Sequence, residues 1–227
     1  MKSSDYLAIV PARGGSKRIT DKNIINIMGK PLIHYTLEVS TKITGMTTIV
    51  SSDSDRILEI ASYYDIVKHK RPAMFSTDDS DIFCVIKDVI NSLDSATLPD
   101  SVILLQPTSP LRTLEDLQNA IFTYENSESE MLVSVTELEK SLFKILYLNK
   151  DGFINGLFDK VAPFVRKQDC PRIMSANGAI YIFSVKSILN NDRLIMENAI
   201  PFLMSKENSV DVDLQKDIDI IEGILRK

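Results

Sequence analysis

The chain has little cysteine. Cys84 and Cys170 stand alone and far apart, with no Cys-x-x-Cys pair and no cysteine–histidine cluster. That pattern excludes a zinc ribbon or finger and points to a reduced compartment, so a cytoplasmic protein is expected. A surplus of positive charge is also missing. Lys+Arg number 26 against 31 Asp+Glu, for a formal net charge of -5. This argues against non-specific nucleic-acid binding, which needs a basic footprint. It leaves room for a local basic pocket that attracts an anionic small molecule. No apolar run is long enough to span a bilayer, so no membrane association is expected. The apolar stretch near the start is too short for a signal h-region, and charge follows it at once. Repeats, low-complexity tracts and linkers are absent too, so residues 1–227 read as a single domain.

What is present is a regular rhythm. Hydrophobic residues make up 44% of the chain, enough to bury a sizeable core. "YLAIV" (6–10), "MTTIVSS" (46–52), "IVK" (66–68), "SVILLQP" (101–107), "EMLVSVT" (130–136) and "AIYIFSV" (179–185) read as strands. Helical periodicity falls between them, over 31–42 with Pro31 in the first turn, 54–64, 81–93 and 113–126. Thr113 with Asp116 three residues on forms a capping signal. "DLQKDIDIIEGILRK" (213–227) reads as a closing helix. Strand and helix alternating at this spacing predict an α/β domain, with a mostly parallel sheet and helices on both faces. Between about 137 and 175 the rhythm breaks into a hairpin with "NKDG" as its turn, then irregular chain, which predicts an inserted arm.

The first strand runs straight into "VPARGGSKRITDKN" (10–23). In open α/β sheets, ligands sit beyond the carboxyl ends of the strands. Gly14 and Gly15 allow close backbone approach and positive φ, and their N–H groups can form an anion nest. Arg13, Lys17, Arg18 and Lys22 bring four positive charges to the same place, which suits a polyphosphate. The pattern is neither G-x-x-x-x-G-K-[ST] nor G-x-G-x-x-G. A merely solvated basic loop is the competing reading.

Other candidates carry a plain alternative as well. "QPTSPLR" (106–112) either ends a strand and caps the next helix, or holds Gln106, Thr108 and Ser109 as preorganised hydrogen-bonding groups. Asp211 and Asp213 alternate across Val212, which in a strand places both on one side. Two close carboxylates repel, and a hard divalent cation relieves the repulsion. The alternative is a helix cap supplied by Asp213. Asp53 reads as part of the cap of the helix after it. His34 and Cys84 read as structural, His69 receives no catalytic role, and Cys170 reads as exposed.

Four motifs together resemble one family. "VPARGGSKRITDKNI" (10–24), "LLQPTSPLRT" (104–113), "NGAIYIF" (177–183) and "SVDVDLQKD" (209–217) are similar, in order, to those of the CMP-sialic acid synthetases, or acylneuraminate cytidylyltransferases. The first motif alone also admits the 3-deoxy-manno-octulosonate (Kdo) cytidylyltransferases. The resemblance implies a Rossmann-like nucleotide-diphospho-sugar transferase fold and a Mg²⁺- (or Mn²⁺-) dependent reaction. In it, the anomeric hydroxyl of a nine-carbon 2-keto sugar acid attacks the α-phosphate of CTP, giving a CMP-sugar and pyrophosphate. It also implies a homodimer joined by the arm at about 137–175.

By the same resemblance, Arg13, Gly14, Gly15, Ser16, Lys17, Lys22 and Asn23 belong to the nucleotide loop, with Arg71 and Ser80 near the nucleoside. Gln106, Thr108, Ser109 and Arg112 form the floor between sugar and nucleotide. Lys144 and Arg166 reach the sugar site from the arm, in the same chain or a partner's, and Asn177 and Tyr181 wall it. Asp211 and Asp213 are the metal pair, and Lys22, Gln106 and Asp211 carry catalysis.

Two departures bear on the sugar. Arg18 and Asp21 stand where many sialic acid enzymes have other residues. "RLIMENAIPFLM" (193–204) lacks an aromatic pair, and Leu194 and Ile195 fall there instead. A more apolar wall suits legionaminic or pseudaminic acid. The rival readings are a Kdo-type or other sugar nucleotidyltransferase and a nucleotide-binding protein without catalysis.

Overall fold

The computed structural model describes residues 6–77, 79–194, 196 and 198–226. The chain opens with β1 (Tyr6–Pro11), whose four central residues are buried. A small hairpin follows, β2 (Asn26–Ile27) and β3 (Lys30–Pro31), leading into helix α1 (Leu32–Ser40). Pro31 is therefore the last residue of the hairpin and the residue before the helix, not part of its first turn. β4 (Met46–Ser52), α2 (Asp55–Ala61), β5 (Val67–Lys70) and α3 (Ile82–Asn91) come next. β6 (Ser101–Leu104) and α4 (Leu114–Glu125) complete the first half, and α4 starts on the expected Thr113–Asp116 capping box.

β7 (Met131–Glu137) leads to the arm, which holds the antiparallel pair β8 (Leu146–Leu148) and β9 (Ile154–Gly156). Asn149 Oδ1 accepts from the N–H groups of Asp151 and Phe153, and Gly152 takes φ +85°, so "NKDG" does make the turn. The chain returns as β10 (Met174–Ser184), then α5 (Val185–Asn190), β11 (Ile200–Leu203) and α6 (Gln215–Leu225).

The main sheet has seven strands in the order β11-β7-β10-β6-β1-β4-β5. β1 pairs in parallel with β4 and β6, β4 with β5, and β11 with β7. β10 alone in this sheet runs antiparallel to its neighbours, β6 and β7. It begins at Met174 rather than at 179, and its register against β7 shifts between Ala176 and Tyr181. Asn177 fills that bulge: its Oδ1 accepts from Ser134 Oγ at 2.6 Å, and its Nδ2 donates to Ser209 Oγ at 2.9 Å.

Strands buried on both faces read as unbroken apolar runs. Ala8, Val10, Val50 and Ile103 face one layer with Leu37 of α1, Ile57 of α2 and Leu117 of α4. Leu7, Ile9, Ile49 and Leu104 face the other with Ile86 and Val89 of α3 and Ile188 of α5. α6 seals a third cluster, packing Ile218 and Ile221 with Ile27 and Leu32. Cys170 is buried at 3% exposure, because its thiol turns back to the Arg166 carbonyl, so the exposed cysteine expected there is not found.

The arm concentrates exposed apolar side chains. Leu148, Phe153, Ile154, Val161 and Phe164 are all exposed, Phe164 at 83%. Among the described residues, no helix is long and apolar enough to cross a membrane.

Candidate active site

The carboxyl ends of β1, β5 and β6 open onto a cavity of about 510 Å³. Arg13, Ser16, Lys17, Arg18, Lys22 and Asn23 line it from the loop after β1. Arg71 comes from the end of β5, and Phe75, Thr77 and Ser80 from the segment before α3. Ile82 and Val85 of α3 add an apolar wall. Gln106, Pro107 and Thr108 follow β6, and Asp211 and Asp213 precede α6.

The glycine loop is held from several sides. Gly14 donates its N–H to Asp53 Oδ1 at 2.8 Å. Asn23 Nδ2 donates to the Arg13 carbonyl at 2.9 Å, and Arg56 Nη1 to Asp21 Oδ2 at 2.8 Å. Neither Gly14 nor Gly15 takes positive φ; that conformation falls on Asp21, at φ 53°. Gly14 is needed for a different reason, since a Cβ there would stand 3.0 Å from Ser54 Cβ. Asp53 is also not the helix cap. Ser54 caps α2, which leaves the Asp53 carboxylate to fix the loop.

Lys22 crosses the cavity. Its Nζ donates to the Val212 carbonyl at 2.9 Å and lies 3.3 Å from Asp213 Oδ1, and Arg18 Nη1 lies 3.3 Å from Asp213 Oδ2. Residues 210–214 are irregular rather than a strand, so the expected alternation does not set their direction. The buried Val212 does, its N–H donating to the Thr108 carbonyl at 2.8 Å. Asp213 does not cap α6 either. Asp217 Oδ2 accepts from the N–H groups of Asp213 and Leu214, leaving the Asp213 side chain at the cavity. Burial pushes the Asp211 carboxyl above its usual range, and Asp213 adds to this; Thr108, Lys22 and Ser109 oppose it.

Arg71 is buried. Its Nε donates to Ser51 Oγ at 3.1 Å and its Nη2 to the Ser51 carbonyl at 2.7 Å. Desolvation draws its pKa down to about 10. Ser80 Oγ accepts from the Thr77 N–H at 3.0 Å, closing the turn that brings both residues to the wall.

Several expected site residues lie elsewhere. Arg112 is 2% exposed and does not line the cavity; its Nη1 donates to the Ala179 carbonyl at 2.6 Å and its Nη2 to Thr36 Oγ1 at 2.7 Å. It braces the floor from beneath. Ser109 is buried behind the floor with its hydroxyl 3.5 Å from Asp211. Asn177 is committed to the β10 bulge. Tyr181 stacks near Phe183 and is close enough to Asp211 for that charge, after burial, to raise its pKa. Lys144 and Arg166 do not line the cavity, and Arg166 pairs with Asp169 inside the arm. Leu194 packs into the α3–α5 core layer and borders a separate hollow with Met131 and Phe183, at the amino ends of β6 and β7. It cannot wall a sugar bound at the carboxyl ends. Ile195 lies outside the described residues.

Phe75, Thr77, Ile82, Val85 and Pro107 line the site without having been foreseen. Ile82 and Val85 read in sequence as the apolar face of helix 81–93, and only the fold shows the cavity beside them.

A family model described as cytidylyltransferase matches residues 7–206. The chain belongs to the cytidylyltransferase family. It is similar to a pseudaminic acid cytidylyltransferase from Campylobacter jejuni, at 31% identity over 94% of this chain and 93% of the relative. It is similar, again at 31% identity, to a CMP-N,N'-diacetyllegionaminic acid synthase from Legionella pneumophila, over 96% of this chain and 95% of the relative. Its fold matches a solved CMP:2-keto-3-deoxy-manno-octonic acid synthetase with a TM-score of 0.73, covering 98% of this chain and 99% of that one at 15% identity. The Rossmann-like α/β architecture expected from the sequence is thus the one found.

Proposed function

We propose that this cytidylyltransferase transfers CMP from CTP to the anomeric hydroxyl of a nonulosonic acid, releasing pyrophosphate. One observation carries the reading: Lys22, Gln106, Asp211 and Asp213, from three separate parts of the chain, meet in one cavity lined by Arg13, Lys17 and Arg18. Those cations suit a triphosphate. In this reading Lys22 neutralises charge that builds on the departing pyrophosphate, an effect worth about 3 to 4 kcal/mol when a preorganised electrostatic group is removed. Phe75, Ile82 and Val85 supply apolar lining, and Gln106 and Thr108 offer hydrogen bonds to a ligand. In this reading the sugar hydroxyl approaches between Gln106 and Asp211, which line the same cavity, and gives its proton to Asp211.

Asp211 and Asp213 fit a hard divalent cation such as Mg²⁺ or Mn²⁺. Both carboxylates line the cavity beside the glycine loop, and their mutual repulsion is one of the influences on Asp211. Lys22 and Arg18, which pair with Asp213, would have to share that carboxylate with the cation. When bound, such a cation polarises phosphate oxygens and lowers the pKa of a coordinated hydroxyl. The relatives named for pseudaminic and diacetyllegionaminic acids make that sugar class the first to test. The arm's exposed apolar face, rich in Phe and Leu, is proposed to bury itself in a homodimer, which would carry Lys144 and Arg166 toward a partner's site. A cytoplasmic setting follows from this biosynthetic role.

The test is pyrophosphate release from CTP with pseudaminic, legionaminic, sialic and Kdo acids, each against a no-sugar control. Release with a nine-carbon acid supports the reading. Release with Kdo alone would favour the eight-carbon alternative. A CTP-induced melting shift without any release would mark a binding protein. Equal rates with ATP, GTP and UTP would sink the cytidylyl assignment.

A further inference from the structure

His69, on β5, does not line the cavity, yet it stands directly behind Arg71, which does. Its Nδ1 lies 3.1 Å from Ser51 Oγ on β4. Its Nε2 lies 3.4 Å from Asp88 Oδ2 on α3. That Asp88 oxygen is buried and has no hydrogen bond of ordinary geometry. Ser51 Oγ already accepts from Arg71 Nε.

With His69 neutral and its proton facing the Asp88 carboxylate, these contacts run in one direction. Arg71 can only donate. Ser51 Oγ accepts that bond and can send its own hydrogen to His69 Nδ1. The imidazole proton then sits on Nε2, facing the Asp88 carboxylate, which fixes the tautomer. Every donor points from the cavity wall toward Asp88, and bonds in such a chain polarise one another. The Ser51 carbonyl also accepts from the Ala12 N–H, at the start of the glycine loop, as well as from Arg71 Nη2.

We propose that Asp88, His69 and Ser51 form a one-way hydrogen-bond relay that positions the Arg71 guanidinium in the cavity wall and so sets the affinity for the pyrimidine nucleotide. This rests on the nucleotide reading given above. The relay works with neutral His69. A proton on Nδ1 would turn the Ser51 hydroxyl away and place a second positive charge beside Arg71. Burial, and secondarily the Arg71 charge, keep the imidazole pKa low, while Asp88 opposes them. The charges acting on Arg71 in turn are Asp53, Arg13 and Asp88. His69, Ser51 and Asp88 are positioning residues, since none of them lines the cavity.

The experiment is CTP binding by calorimetry from pH 5.5 to 8, with a melting control for each variant. His69→Val removes the acceptor. It is expected to weaken CTP about tenfold at neutral pH, the order of one lost buried hydrogen bond. His69→Asn keeps an oxygen in the Nδ1 place and should restore most of the affinity. Wild type is expected to bind CTP more weakly as pH falls and His69 takes up a proton, and His69→Asn should lack that decline. Wild-type affinity in a folded His69→Val variant, or an Asn variant as weak as Val, would overturn the relay. A second readout does not need the nucleotide. The chain has two histidines, so the His69 imidazole can be titrated by NMR with His34 as the internal reference. Arg71→Met should raise the His69 pKa and Asp88→Asn should lower it; no movement in either overturns the relay. A wild-type chain that bound no CTP, while the titration showed both movements, would instead overturn the nucleotide reading and leave the coupling standing.

Discussion

Gly178 packs against Gln106 so closely that a Cβ at Gly178 would lie 2.8 Å from Gln106 Oε1. The glycine also takes φ +77°, which disfavours any L side chain. Gly178→Ala is expected to push the Gln106 amide from its place in the floor, at a backbone cost of about 1–3 kcal/mol. Turnover should fall much more than the melting temperature. If the effect runs through Gln106, the double variant Gly178→Ala/Gln106→Ala will be no slower than Gln106→Ala alone. Additive losses in that cycle would show that Gly178 serves the β10 bulge instead.

Lys22 joins the loop after β1 to the aspartate segment, through the Val212 carbonyl and Asp213. Its side chain is 18% exposed, and the apolar core does not depend on it. Lys22→Ala should keep its circular dichroism and lose the ion pair to Asp213 and the bond to the Val212 carbonyl, together about 1–3 kcal/mol. Its kcat should drop by a factor on the order of 10² to 10³, the range for removing one preorganised electrostatic group. A near-normal kcat would mean that the lysine merely latches the loop to Val212.

Arg112 should behave in the opposite way. Its guanidinium is buried, and it joins α1, through Thr36, to β10, through Ala179. Arg112→Met leaves Thr36 Oγ1 without that donor and the Ala179 carbonyl without its closest side-chain partner. A loss of about 3 kcal/mol is expected, read from urea midpoints, since each bond to a charged donor is worth roughly half of that or more. The folded fraction should retain its KM for CTP. A stable variant with a raised KM would return Arg112 to the binding floor.

The contrast between Lys22 and Arg112 shows what the sequence could and could not reveal. The strand–helix rhythm determined the sheet, because strands buried on both faces are continuous apolar runs and amphipathic helices keep their period. The basic loop stood out by its glycines and charges at a strand end. Gln106, Thr108 and the Asp211–Asp213 pair each had a plain local alternative, a turn or a helix cap, and only the resemblance of the four motifs chose between the readings. The burial of Arg112 was not legible, since arginine is rarely buried and nothing local announces burial. Asp53 was masked by four neighbouring cap-capable residues in "SSDSD". β11 was hidden by Pro201, which an edge strand tolerates and a central one does not. α5 spans only six residues, too few to show a period.

Stability should depend on pH through His69. Burial, the largest influence, lowers its pKa from the unfolded value of 6.5. The unfolded chain therefore binds the proton first. Stability is full above pH 6.5 and is lost as pH falls through that value toward the depressed folded one. In His69→Asn this component disappears, so the variant's urea midpoint should change less than wild type's between pH 7 and 5.5. Parallel curves for the two proteins would show that His69 protonates equally in both states.

Asp211 and Asp213 should part company when each is replaced by asparagine. Both changes drop a charge from the proposed cation site, so both should raise the Mg²⁺ concentration needed for half-maximal activity and lower kcat. EDTA should abolish wild-type activity, and added Mg²⁺ should restore it. Without metal, however, their stabilities should move in opposite directions. Asp211 is the more buried of the two and suffers both desolvation and its neighbour's charge. Asp211→Asn keeps an amide oxygen to accept from Thr108 and Ser109 while shedding that charge, so this variant is expected to melt slightly higher. Asp213 is 54% exposed and paired with Arg18 and Lys22, so Asp213→Asn gives up those contacts and gains nothing. Its metal-free melting temperature should stay level or fall. Activity of both variants at the wild-type rate, with unchanged Mg²⁺ dependence, would reduce the pair to an anchor for Lys22. A rise in melting temperature for Asp213→Asn alone would show that the strain lies between Asp213 and the segment around it, not in the burial of Asp211.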